Sequence, residues 1–300
     1  MERRQVKKVR VDNSYTAPRP AENAFAGVLR QLVRNKTALI SFIIFIAITL
    51  ACIMAPLLTQ WEFFTIEPSN RFANPSVTHI FGTDSLGRDV FSRLLYGGRT
   101  TLRIALLATL LSSVIGCLIG LAAGYFGRWL DFIISPALDV IASIPVILLV
   151  IVFESVLGYG RGYFFYAMVI AAIPQFARLT RSCVMSIMGC EYIEASRALG
   201  VSHIMIIARH VLHNIVSPLV VRFSSGVAEA LLICTIMGYL EIGVRPPAPE
   251  WGSIVFNANA SVFAAPMLMI IPCAVITICV ISLSLFSDGL RDAMDPKSRG

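Results

Sequence analysis

Apolar residues in this chain come in long unbroken runs separated by shorter polar intervals, rather than alternating with polar ones. At 1.5 Å rise per residue, about twenty apolar residues cover the roughly 30 Å hydrocarbon layer of a bilayer. The first such run is 38–58, without one charged residue, and the second is 104–126. Others follow at about 132–153, 163–188, 215–240 and, inside a stretch without Asp, Glu, Lys or Arg, 264–286. The pattern predicts an all-α, polytopic membrane protein with six transmembrane helices.

Details within and between the runs sharpen this reading. Residues 25–35 predict a short amphipathic helix at the membrane surface, with Phe25, Val28, Leu29, Leu32 and Val33 on one side. In the second run Ser112, Ser113, Gly116, Gly120 and Gly124 recur at about one-turn spacing, which lets a neighbouring helix come close. Gly127 and Arg128 form a turn, Glu154 to Gly162 a loop, and Pro174 predicts a kink in the fourth run.

Composition agrees: 56% of the residues are hydrophobic and 14% charged, with a mean hydropathy of +0.75. That excludes an ordinary soluble globule. The seven cysteines lie mostly inside apolar runs without ligand-like spacing, and read as small apolar fillers. Net charge is +7, and much of the basic excess lies in residues 1–36 (Arg3, Arg4, Lys7, Lys8, Arg10, Arg19, Arg30, Arg34, Lys36). By the positive-inside rule this keeps the N-terminus in the cytoplasm and, with six spans, the C-terminus too. Nucleic-acid binding is the rival explanation of a basic arm, but the arm lacks interleaved aromatics and stands before a span. The basic region is too long for a signal peptide, and residues 1 to about 24, with Pro18 and Pro20, are expected to be disordered.

Three polar islands and a few intramembrane charges carry the candidate chemistry. The first is 191–214, where Glu191, Glu194, Ser196, Arg197 and Gly200 must lie outside hydrocarbon. Tyr192, Ala195, Leu199 and Ile206 predict its apolar face, Gly200 the left-handed end of a short helix, and a second short helix runs from His203 to about His213. The second island, 59–100, ends in Gly82-Thr83-Asp84, Gly87-Arg88-Asp89 and Arg93, read as a turn and helix start capped by Asp84 or Ser85. A calcium loop is excluded because the oxygen ligands are too few and misplaced. The third is the outer loop with Glu241, Pro246, Pro247, Pro249, Glu250 and Trp251. Inside the spans stand Asp139, Arg222 and Glu229, while Arg178 and Arg181 are expected to snorkel towards the cytoplasm. Arg222 and Glu229 are seven residues apart, about 10 Å along one helix face. That predicts no direct pair, so each is expected to meet water or a partner helix and to border a translocation path. Asp139 is expected to be paired structurally.

These motifs together resemble one family. Glu194-Ala195-Ser196, Gly200 and Arg209-His210-Val211-Leu212 resemble the EAA loop of ABC-importer permeases, with His213 where that family has proline, so that the second helix is expected to run on further or bend less. The Gly82 to Arg99 text, the Pro246 to Gly252 loop and the Asp288 to Pro296 ending resemble the permeases of dipeptide, oligopeptide and nickel importers. The resemblance implies the type I permease fold and a cell inner membrane location. It implies that Glu191, Glu194, Ala195, Ser196, Arg197 and Gly200 dock on cytoplasmic ATPases. Gly82, Thr83, Asp84, Gly87, Arg88, Asp89, Glu241, Pro247, Glu250 and Trp251 would form the external motif. Implied partners are a second homologous permease subunit, two ABC ATPases and an external solute-binding protein. No cofactor or metal is expected on this chain, since ATP and magnesium belong to the ATPases. Glu241 replaces a family glycine and adds an acid at the outer mouth, favouring cationic cargo.

The expected organisation is a cytoplasmic tail with its surface helix (1–36), a first span (37–58), an external segment (59–100), a core of five spans containing the loop 189–214 (101–288), and a cytoplasmic tail (289–300). The chain shows no Walker-type loop, H-E-x-x-H or G-x-S-x-G, which speaks against an enzyme. The expected function is peptide import. The alternatives are a nickel-chelate or other small-cation permease and, from a different class, a stand-alone ion-coupled secondary transporter using Asp139, Arg222 and Glu229.

Overall fold

A computed structural model describes residues 24–158 and 162–294. The expectations for the first 23 residues, for the tip of the 154–162 loop and for the last six residues lie outside the described residues, as do the side chains of Phe25 and Leu29. Among the described residues the fold is all-helical, with an isolated bridge between Thr83 and Asp89.

The chain opens with α1 (Ala24–Arg34), separated from α2 (Lys36–Ile53) by Asn35, whose side chain accepts the Ala38 N–H and caps the new helix. The first apolar run breaks at Met54, because Pro56 has no N–H to continue the ladder, and ends in the single turn α3 (Ala55–Leu58). A long polar segment leads to α4 (Val90–Phe126), 37 residues and so about 55 Å long. The helix starts well before the hydropathy run at 104, and the boundary drawn at 100 falls inside it. Arg93, Arg99 and Arg103 hide the helix from a hydropathy reading, yet Leu94, Leu95 and Leu102 are buried.

The third run is not one helix. It divides into α5 (Arg128–Ser143) and α6 (Val146–Leu157), bent by 86° at the break. Pro145 excludes helical backbone at Ile144, which is extended at φ −86°, ψ 121°. Helix α7 (Tyr163–Met188) follows, then the short α8 (Glu191–Ala198). Next comes α9 (His203–Ile206), a π turn over Ile207–Val211 and α10 (Leu212–Tyr239). These last three form one continuous 37-residue helix. The helix runs on because His213 offers no interruption where a proline would, and the second short helix expected to end there merges with the fifth span. The chain closes with α11 (Trp251–Asn259) and α12 (Met267–Met294), the latter continuing past 288. Among the described residues five helices are long and apolar enough to cross a membrane, and the bent α5–α6 pair makes a sixth span if counted as one.

The glycine stripe on α4 meets α7. A Cβ on Gly116 would stand 2.6 Å from that of Phe176, one on Gly124 2.9 Å from that of Val184, and one on Gly120 2.8 Å from that of Thr180. The two backbones therefore approach as only glycine permits. Of the apolar clusters, one joins Val150, Met168 and Met237, a second packs Leu231 and Cys279 with Trp251 of α11, and a third gathers Tyr125, Ile193 and Ile215 at the α8 end.

Candidate functional site

At the α8 end the polar island folds into a small, firmly closed unit. Glu191 and Glu194 occupy the first turn of α8, where carboxylates complement the helix dipole. Gly200, at φ +75°, ends the helix: its N–H donates to the Arg197 carbonyl (3.0 Å) and the Val201 N–H to the Ser196 carbonyl (3.1 Å), a Schellman closure. Nothing lies within 4 Å of where a Cβ would project at Gly200, so the backbone conformation alone demands glycine. Ser202 then caps α9 by accepting the Met205 N–H.

One residue anchors this unit. Ile193 is fully buried with Ile206, Val211 and Ile215 against Tyr125 of α4 and Val184 of α7. The expected apolar face is corrected here: Ile206 is buried, but Tyr192, Ala195 and Leu199 are exposed, Leu199 at 85% and Ile204 beside it at 81%. Docking through Ile193 turns those apolar side chains outward together with Glu191, Glu194 and Arg197. Such a mixed apolar and charged surface is what a partner interface needs. The Tyr125 hydroxyl lies 2.6 Å from Nδ1 of His203, and the Arg197 guanidinium carbon stands 5.7 Å from the Tyr125 ring centre. Nothing in the sequence signalled this link between positions 78 apart.

The charges within the spans are paired. Arg222 donates two hydrogen bonds to the Glu229 carboxylate, both 2.9 Å, against the expectation that the two stand too far apart. The two long side chains extend towards each other and meet across two turns, beside Gly226, whose own surroundings are filled by Thr109 and Phe176. The guanidinium also donates to Ser225 Oγ and sits 5.5 Å from the Phe176 ring centre. Together with Thr109, Met168 and Gln175 this pair lines a cavity of about 100 Å³. Asp139 takes an ion pair from Arg178 at 3.0 Å, and Asp131 is held by two bonds from Arg181. The two arginines expected to snorkel towards the cytoplasm bridge α7 to α5, and Asp131 is a site residue that the sequence reading passed over. Its signal was available, since two acids on one span faced two bases on the next.

At the α11 end the Gly82 to Arg93 text builds a self-satisfied turn. Gly82 and Gly87 have φ near +75°, and a Cβ at either would overlap backbone atoms of Ala73 or Glu67. Asp84 accepts the Leu86 and Arg88 N–H groups and pairs with the Arg88 side chain at 2.7 Å. The cap of α4 is neither Asp84 nor Ser85 but Asp89, whose carboxylate accepts the Ser92 N–H (2.7 Å) and lies 2.9 Å from His79. Thr83 is buried, accepts the Ala73 N–H and donates to the Asn70 carbonyl. These residues fix the entry of α4.

The third island packs beside it. Glu241 sits at φ +60°, ending α10 in a second Schellman closure through the Glu241 and Ile242 N–H groups. At this left-handed position a non-glycine residue costs the backbone about 1 kcal/mol. Pro247 follows a cis peptide bond and is exposed. Glu250 is fully buried: it caps α11 by accepting the Ser253 N–H at 3.1 Å and accepts the Thr101 hydroxyl at 2.9 Å. Burial pushes its carboxyl up to about 7, against the opposing bonds from Gly252, Thr101 and Ser253. Trp251 is also fully buried over Gly98, its indole N–H donating to the Leu94 carbonyl at 2.9 Å. Glu154, expected in a loop, is instead buried on the last turns of α6 and accepts the Phe164 N–H at the start of α7.

Comparison with known proteins follows the same lines. Residues 116–300 match the family model of the binding-protein-dependent transport system inner membrane component, and residues 24–75 that of the N-terminal TM domain of oligopeptide transport permease C. A dipeptide transport system permease protein of Alkalihalophilus pseudofirmus is 38% identical over 288 residues, 96% of this chain and 93% of that one. A glutathione transport system permease protein of Pectobacterium atrosepticum is 39% identical over 74% of each chain. Among solved structures, an inward facing conformation of the MetNI methionine ABC transporter aligns with a TM-score of 0.56 at 20% identity, covering 68% of this chain and 96% of that one.

Proposed function

The chain belongs to the family of binding-protein-dependent transport system inner membrane components, the permease subunits of ABC importers, and on that premise we propose that it forms half of a peptide-conducting pore driven by separate ATPases. In this reading the α8 end faces the cytoplasm, as the positive-inside rule requires of the basic N-terminal arm. The exposed face of α8 seats in the ATPase subunits, which hydrolyse ATP with magnesium. A second, homologous permease completes the pore, and an external solute-binding protein delivers cargo to the α11 end. The relatives named for dipeptide and glutathione transport favour peptides over nickel chelates as cargo.

One observation supports this most directly. Helix α8 is held by a single buried residue, Ile193, and a Schellman closure, and leaves Glu191, Glu194, Ala195 and Leu199 uncovered. A segment so placed acts as a lever: force applied to its outer face reaches α4 through Tyr125 and α7 through Val184. ATP-driven movement of the ATPases would then bias the bundle between two arrangements. The paired charges on α5, α7 and α10 border the path between them.

The test places Glu194→Lys and Gly200→Leu separately in the permease, assembled with its partners in proteoliposomes. Both proteins should insert normally, lose the ATPases on affinity purification and fail to accumulate labelled dipeptide. Undiminished ATP-dependent uptake with either change would falsify the docking role.

A further inference from the structure

At the α11 end three guanidinium groups open onto one cavity. Arg99 and Arg103, one helical turn apart on α4, and Arg245, from the loop after α10, surround a space of about 560 Å³. Ile104, Phe165 and Val244 supply apolar wall, and no Asp or Glu lines it. All three arginines are exposed, and among the described residues none makes an ion pair. By contrast, Arg88, Arg93, Arg178, Arg181 and Arg222 each face a carboxylate.

Like charges one turn apart on a helix repel, and a third from the facing loop adds to the field. An anion entering the cavity removes that repulsion. The guanidinium fork matches a carboxylate in geometry as well as charge. A volume in the usual range of small-molecule sites, about 300–1,000 Å³, with a partly apolar wall, suits a small solute with one hydrophobic group rather than the flat acidic face of a protein. We infer that this cavity receives the terminal carboxylate of a peptide as it enters the permease, with Ile104, Phe165 and Val244 accepting the adjoining side chain. The inference rests on the transport reading above and names the chemical class of cargo. It also reverses the expectation drawn from Glu241, which is not among the lining residues.

The test compares uptake of labelled Ala-Phe with that of its C-terminal amide by the complete transporter in proteoliposomes. The variants are Arg103→Gln with Arg245→Gln, and the same pair changed to Lys. The wild type should favour the free peptide. The Gln variant should lose about tenfold or more of Ala-Phe uptake, as expected for a charged hydrogen-bonded pair, and with it the preference over the amide. The Lys variant, which keeps charge without the fork, should fall between and shows that loss does not come from misfolding. Retained preference in the Gln variant would overturn the site alone. Equal loss of both peptides would also overturn it and assign the arginines to docking of the binding protein. Absence of ATP-dependent uptake of either peptide by the wild type would instead defeat the transport reading, and this one with it.

Discussion

Glu250 shows how much one residue can carry in this protein. It closes the N-terminus of α11, touches Thr101 of α4 and lies so tightly against Gly238 of α10 that a Cβ there would overlap its carboxylate. Because its carboxyl is raised from the ordinary value of 4.5 to about 7, the folded protein holds a proton that the unfolded chain releases. Stability from this group is therefore fully present below pH of about 4.5 and is lost as pH rises through about 7, an effect on the order of 3 kcal/mol. Thermal unfolding of the detergent-solubilised protein should show a midpoint that falls across that window. Glu250→Gln, which cannot titrate, should flatten the fall whatever it does to the midpoint itself. An unchanged slope in the variant would mean that other groups set the pH response.

Between elements, the most extended close contact is that of α4 and α7, and the glycines that permit it were visible in the sequence as a four-residue repeat. Gly120→Ala places a methyl group against the Ala177 carbonyl and 2.8 Å from the Thr180 Cβ. Neither can yield without separating the helices, so the substitution should cost about 1–3 kcal/mol, read as a lower unfolding temperature. The same change at Gly127 meets no atom within 4 Å, but its backbone (φ +56°, ψ −156°) lies in a region essentially open to glycine alone, so it should cost a similar amount, about 1–3 kcal/mol, through strain without a clash. Most elements were legible in the same manner: the 163–188 run coincides with α7, and Gly200 announces its closure. What stayed hidden depends on partners distant in sequence. Hydropathy reports burial in lipid, so it passed over the first fourteen residues of α4, most of which are buried against α3, α11 and the entry loop instead. It also ran across Pro145, although the pre-proline rule marked the break. The Arg222–Glu229 pair was missed because axial spacing was weighed without the reach of two long side chains.

Across the whole molecule, α4 touches both functional ends, as α10 does through Ile215 and Gly238. Gly98 near the start of α4 lies beneath Trp251, and Tyr125 near its finish meets His203 and Arg197, with about 40 Å of continuous helix between them. A helix resists compression and bending far more than the contacts at its ends, so under the proposed function a shift of α8 would be passed along α4 to the α11 end. The weakest connection in that chain is the Tyr125 hydroxyl on His203, a single hydrogen bond at 2.6 Å beside an exposed imidazole. Tyr125→Phe removes it while keeping the ring under Arg197 and the packing around Ile193, at a stability cost of about 1 kcal/mol. In the assembled transporter the variant should still hydrolyse ATP, but should take up fewer peptides per ATP consumed. Measuring both rates in the same proteoliposomes separates this from simple damage, in which hydrolysis and uptake decline together. If the ratio matched the wild type, the lever would have to act through the apolar cluster around Ile193 and Val184 on α7, and α4 would be a passive wall.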